Sequence, residues 1–233
     1  MAVNLDEITV PYDQFYNRRV EIIRDLFERD PRSIDAVVLA GTALTSLATW
    51  RYDECGARGC DQKNFERLLL EYWAGYDDRV SIPEALRWLE DQQPNRQLIN
   101  AIARKYPVRL DMTLRSVVDD PTRQEWSEWI GTLAAGFTRA DAFSYARLLF
   151  RQFRNSVQHR LLIADGREAF ALGRFESPFF YTNHGLAEFQ SVHGIRFGFR
   201  HRYLEHVLRD VVIAMRAWAV ANRRNIFDLA RLR

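Results

Sequence analysis

Residues 33–52 restrict the fold more than any other stretch. Ile34, Val37, Val38, Leu39, Leu44, Leu47 and Trp50 recur at helical spacing behind Ser33, a residue type that caps helix N-termini. The helix they predict is apolar around most of its perimeter, so it must be largely buried. Ala40, Gly41, Ala43 and Ala48 would let a neighbour approach closely, which suits a central helix or an oligomer contact.

The rest of the chain supplies helices to cover it. Phe15, Val20, Ile22, Ile23, Leu26 and Phe27 predict a helix over 11–29, with Pro11 at an early position and Asp30-Pro31 as the stop. Further helices are predicted over 65–73, from the capping-box pattern Ser81-Ile82-Pro83-Glu84 through Leu86, Trp88 and Leu89 until Gln93-Pro94, over 97–106 up to Pro107, and over 125–136 on a Trp126, Trp129, Ile130 and Leu133 stripe. Residues 108–122 read as a helical turn and loop. A long helix follows over about 142–164. Beyond it the period changes: aromatics mix with glycine and alternating polar residues, predicting one small β-hairpin or irregular insertion at about 168–199. Leu204, Leu208, Val211, Met215 and Trp218 then predict a last long helix to about Asn222, and 223–233 a short terminal helix or a partner-contacting tail. The expected fold is all-α, a single domain over 1–233 forming a helical bundle, with the insertion before the last helix.

Composition narrows the function classes. A 233-residue chain that is 47% hydrophobic and 27% charged is ordinary for a globular protein, and no apolar run approaches the ~20 residues of a membrane span. Residues 2–13 alternate polar and apolar side chains with acids among them, unlike a signal peptide, so the expected location is cytoplasmic, with no membrane partner. Cys55 and Cys60 are then expected to be loop thiols without a role. The net charge is +2, and Lys63 and Lys105 are the only lysines, so arginine supplies the remaining positive charge. Its planar fork suits phosphate and carboxylate. A GC-rich genome gives the same bias, and net charge alone does not imply nucleic acid. No P-loop, Gly-rich dinucleotide turn, H-E-x-x-H pair or nucleophile elbow is present. Cys55, Cys60, His184 and His193 match no common zinc spacing. Neither a cofactor nor a metal is expected.

What remains is on the 142–164 helix. At about 100° per residue, Ala146, Phe150, Phe153, Val157 and Leu161 share one side, while Gln152, Asn155 and His159 share the other. Asn155 and His159 are four apart, so the amide can fix the imidazole's orientation and tautomer. Arg154 lies about 140° around the helix from His159, so the two do not point the same way from one straight helix.

The run Phe153-Arg154-Asn155-Ser156-Val157-Gln158-His159 resembles the Arg-Asn-x-x-x-His signature of the HEPN superfamily (higher eukaryotes and prokaryotes nucleotide-binding domains). That family includes metal-independent endoribonucleases and toxins of prokaryotic defence and toxin–antitoxin systems. The resemblance covers the motif and the helices from about Ser33 to Leu162. It implies an α-helical fold with the motif on a late helix, Arg154 and His159 as the catalytic pair, and Asn155 as the orienting residue. It also implies a homodimer that brings two motifs together across a two-fold axis, which would remove the angular mismatch between Arg154 and His159. The implied substrate is RNA rather than DNA, and a toxin or antiphage effector would have an antitoxin or other regulatory partner. A non-catalytic HEPN-type module that binds nucleotide, RNA or a partner protein is the other reading. An unrelated helical scaffold is the third.

Basic neighbours fit an RNA cleft. Arg147, Arg151, Gln158 and Arg160 lie on the motif's helix, and Arg196, Arg200, His201, Arg202, His206 and Arg209 follow the insertion, interleaved with Phe197, Phe199 and Tyr203. Arg147, Arg151, Gln158, Arg160, Arg200 and Arg202 are the expected RNA contacts. The same residues equally fit a solvated helix face with its aromatics in the core.

Overall fold

The fold is all-α with a small antiparallel β-hairpin before the last long helix. The computed structural model describes residues 5–31, 33–52, 60–92, 95–107, 119–133, 140–151, 179–183, 195–201 and 203–225. Its contacts gather into two compact units. The described residues between 5 and 76, with those after 200, make the first. Those between 77 and 200 make the second.

In the first unit, α1 (Leu5–Pro11) runs through a wider π-helical stretch, Tyr12–Asn17, into α2 (Arg18–Arg29). The expected start at Pro11 is therefore six residues late. Proline has no N–H for the carbonyl four residues back, and here it sits where the helix changes from α to π winding. The next helix, α3 (Ile34–Tyr52), has the predicted bounds, and Ser33 Oγ accepts the Ala36 N–H at 3.2 Å. It buries Ala36, Val37, Ala40, Gly41, Ala43, Leu44, Thr45, Leu47, Ala48 and Tyr52, more than half of its perimeter, while the side with Asp35, Thr42 and Thr49 is exposed, as is Ile34. It packs against α2, α4 (Cys60–Tyr72) and the final helix α9 (Tyr203–Ala221), which fits the small-residue set on its surface. Of the predicted α9 stripe, Leu204, Leu208, Val211 and Met215 are buried and Trp218 is half-buried.

The second unit has its own core, in which Trp126 and Ile130 of α7 (Arg123–Leu133) meet Leu86 and Leu89 of α5 (Ile82–Gln92) and Leu98 and Ile102 of α6 (Arg96–Lys105). Asn95 caps α6, its side chain accepting the Leu98 N–H at 3.1 Å. Thr122 and Glu125 close a reciprocal box on α7: the Thr122 N–H reaches the Glu125 carboxylate at 2.8 Å and the Glu125 N–H reaches Thr122 Oγ1 at 3.2 Å. That box explains why the helix begins two residues before the expected Glu125. The box predicted at Ser81 forms only in half. The Glu84 N–H reaches Ser81 Oγ at 3.4 Å, but the Ser81 N–H goes to the Phe143 carbonyl, and the Glu84 carboxylate instead pairs with Arg87 and accepts the Phe197 N–H.

The long helix expected from 142 begins later. Ala140–Phe143 is a 3-10 turn, Ser144 is extended and caps the Arg147 N–H at 3.4 Å, and α8 (Tyr145–Leu149) starts there and widens to a π turn at Phe150 and Arg151. Strands β1 (Phe179–Asn183) and β2 (Ile195–Phe199) pair Tyr181 with Phe197 and Phe179 with Phe199. These four side chains are buried with Tyr145, whose ring lies 4.7 Å from Phe179 and 4.9 Å from Phe197. The hairpin is thus a wall of this unit's core, packed on α5, and not an appendage.

Candidate functional site

In α8 and the turn after it, Tyr145, Ala146, Leu148, Leu149 and Phe150 are buried, Arg147 is half-buried and Arg151 is exposed, while Gln152 and the rest of the expected polar side lie outside the described residues. Arg147 and Arg151 are four residues apart, hence on one side. Arg154, Asn155, Gln158, His159, Arg160 and Arg202 lie outside the described residues. So do Cys55, His184 and His193, as well as the side chain of Cys60.

One expectation around the hairpin changes and one open alternative is decided. Arg200, assigned to RNA contact, is only 5% exposed, so its guanidinium is held in the interior. Phe197 and Phe199 are fully buried in the aromatic core, the second of the two readings, and have no free face for a base. His206 is exposed and pairs with Glu205 at 3.3 Å and Arg209 at 3.0 Å, whereas His201 is buried.

Burial pushes the His201 pKa down from 6.5 to about 4, so the ring is neutral at pH 7. An unfolded chain protonates this histidine near 6.5. Its contribution to stability is therefore complete above pH 6.5 and is lost as the pH falls toward about 4, a span worth about 3 kcal/mol. Urea midpoints measured from pH 7.5 to 4.5 will fall for the wild type and fall less for His201→Gln. Parallel profiles would refute the assignment.

One polar constellation escaped the sequence reading. Asp120 is 1% exposed, and its Oδ2 accepts the Tyr145 hydroxyl at 2.7 Å and the Tyr181 hydroxyl, while Oδ1 accepts the Ile82 N–H at 3.3 Å. The Tyr181 oxygen also lies 2.7 Å from Ser81 Oγ. Arg79 donates to the Asp120 backbone carbonyl and pairs with Asp77. Burial and the neighbouring Tyr181 and Asp120 push the Tyr145 phenol well above its ordinary range, so it keeps its proton and acts as a donor. Ser81, Tyr145 and Tyr181 are all fully buried, so the cluster is sealed from substrate. Its work is to fasten the start of α5, the start of α8 and the hairpin to one carboxylate. Only its dispersal along the chain hid it, since residues 81, 120, 145 and 181 carry no shared local pattern.

Among the described residues, no three His, Cys, Asp or Glu side chains stand together as metal ligands. No described helix is long and apolar enough to cross a membrane. Compared with protein-family models, curated protein sequences and solved structures, the chain matches none.

Proposed function

We propose that the protein is a metal-independent endoribonuclease of the HEPN type. The observation that carries this reading is the Phe153–His159 run with its Arg154, Asn155 and His159 in the family's spacing. Arg147 and Arg151, the two residues of 145–151 that are not buried, precede the motif in sequence and support it with positive charge. In this reading the 2′-hydroxyl of the substrate attacks the adjacent phosphorus, and the P–O2′ bond forms as the P–O5′ bond breaks. The 2′-hydroxyl loses its proton and the departing 5′-oxygen gains one; His159 serves either end, with solvent exchanging the other proton, the imidazole being the side chain whose ordinary pKa is nearest neutrality. Arg154 stabilises the added negative charge on the pentacoordinate phosphorus. The products are a 2′,3′-cyclic phosphate and a 5′-hydroxyl end. Two motifs meeting across a homodimer axis let Arg154 of one copy serve a phosphate approached by His159 of the other. A toxin or antiphage effector restrained by an antitoxin fits such an activity in the cytoplasm.

The test is incubation of the purified full chain with a mixed RNA pool in EDTA, followed by end-group analysis. Cleavage leaving cyclic phosphate ends, with no cleavage of the 2′-deoxy counterpart, is the expected result. RNA or nucleotide bound but uncut under every condition overturns the nuclease in favour of the non-catalytic module.

A further inference from the structure

A second candidate site lies at the surface of the second unit. Lys105 and Tyr106, at the end of α6, face Glu125, Glu128, Trp129 and Thr132 of α7 across an open groove of about 540 Å³. Its walls are aromatic: the Tyr106 and Trp129 rings meet edge to face at 89° with centroids 5.4 Å apart, and the buried Trp126 backs both. Its rim carries two carboxylates. Glu125 is held below its ordinary range, chiefly by the backbone N–H and then the hydroxyl of Thr122, and is therefore ionised at neutral pH. Glu128 accepts the Gln124 amide at 2.8 Å through one oxygen, Oε1.

Electron-rich ring faces beside carboxylates attract cations and repel anions. The protein already places one there: the Lys105 ammonium lies 5.6 Å from the Trp129 centroid and 5.8 Å from the Tyr106 centroid. Both distances are near the outer limit of about 6 Å for a useful cation–π contact. Elsewhere in the chain Arg19 sits 3.9 Å over Phe15 and Arg51 sits 3.9 Å over Trp218. Others run to 6.0 Å, for Arg224 over Trp218, so the resident ammonium, whose charge also acts on Glu125, sits toward the long end of the range, and the groove leaves room for a closer one. Lys105 is also one of only two lysines among 33 cationic Lys and Arg side chains, and a lysine stem swings aside more freely than a stacked guanidinium.

We propose that this groove binds an alkylammonium group, which settles on the Tyr106 and Trp129 faces in place of Lys105 with Glu125 and Glu128 as counter-charges. The ligand is a free polyamine or a lysine side chain of a peptide, and both offer the same primary ammonium on an apolar stem. The site does not depend on the nuclease reading.

Calorimetric titration of the full chain, freed of nucleic acid, with spermidine and separately with an N-acetylated Gly-Lys-Gly amide tests it. The expected result is saturable one-site binding at or below about 1 mM, with the Trp129 indole N–H resonance shifting in step. Lys105→Met removes the internal competitor and strengthens binding roughly 3- to 10-fold, whereas Glu128→Gln and Trp129→Leu each weaken it by about 3- to 30-fold. Glu128 is exposed, so its variant leaves the fold intact even if Trp129→Leu does not. Tighter binding of spermidine assigns the free polyamine, and tighter binding of the peptide assigns the lysine side chain. Absence of saturation to about 10 mM in both the wild type and Lys105→Met overturns the proposal, as does spermidine binding that Glu128→Gln leaves unchanged.

Discussion

His159→Ala will lower the rate of RNA cleavage by roughly 10²- to 10⁴-fold, the ordinary yield of a positioned general acid or base. Arg154→Ala will lower it by about 10²- to 10³-fold, the loss expected when one donor to a developing oxyanion is removed. Both effects belong to the transition state, so RNA affinity should change far less than rate. Arg154→Lys is the informative conservative change. It keeps the charge but not the planar two-pronged donor, and should recover only part of the rate. A site shared between two copies adds a further expectation: mixing His159→Ala with Arg154→Ala protein restores measurable cleavage, because hybrid dimers hold one intact imidazole and one intact guanidinium. If cleavage persists in both single variants, the chemistry resides elsewhere.

Asp120→Ala will destabilise the protein by about 3–5 kcal/mol. The carboxylate is the acceptor for the Tyr145 and Tyr181 hydroxyls and the Ile82 N–H, and all of these are buried. Removing it strands each donor away from water, and each stranded group costs about 1–3 kcal/mol, less whatever relaxation allows. Asp120→Asn keeps an acceptor and the shape, so about 1–2 kcal/mol is expected. Tyr145→Phe and Tyr181→Phe remove one donor each and leave the carboxylate other partners, so each should cost about as much as the Asn variant. Urea denaturation monitored by tryptophan fluorescence measures all four. A loss below about 1 kcal/mol for Asp120→Ala would mean that water or a rearranged side chain replaces the carboxylate.

Local chemistry was legible where it was local. Ser33 caps α3 because its oxygen needs only the amide three residues on, and the apolar perimeter of α3 could only belong to a buried helix. The hairpin announced itself by a change of period between helices. The capping box read at Ser81 was decided by partners further away. Ser81 and Glu84 have the spacing of a capping box, yet the Ser81 amide is taken by Phe143 and the Glu84 carboxylate by Arg87 and Phe197. Phe197 and Phe199 looked equally suited to stacking bases or filling a core, and only the ring contacts with Tyr145 and Phe179 separate the two. Asp120 was invisible for the same reason: its partners are distant in sequence. At the proposed catalytic site, the Arg154–Asn155–His159 spacing was readable, while the approach of a second copy is not written in any one helix.

The first unit is assembled from the two ends of the chain, with α3 enclosed by α2, α4 and α9. During synthesis α3 leaves the ribosome long before α9 exists, and at about 5–20 residues per second the interval is on the order of ten seconds. Throughout that time a greasy rod with no complete sheath is open to chaperones and to aggregation. A nascent protein of this design therefore completes this unit only when α9 emerges, which postpones any activity that depends on the unit until then.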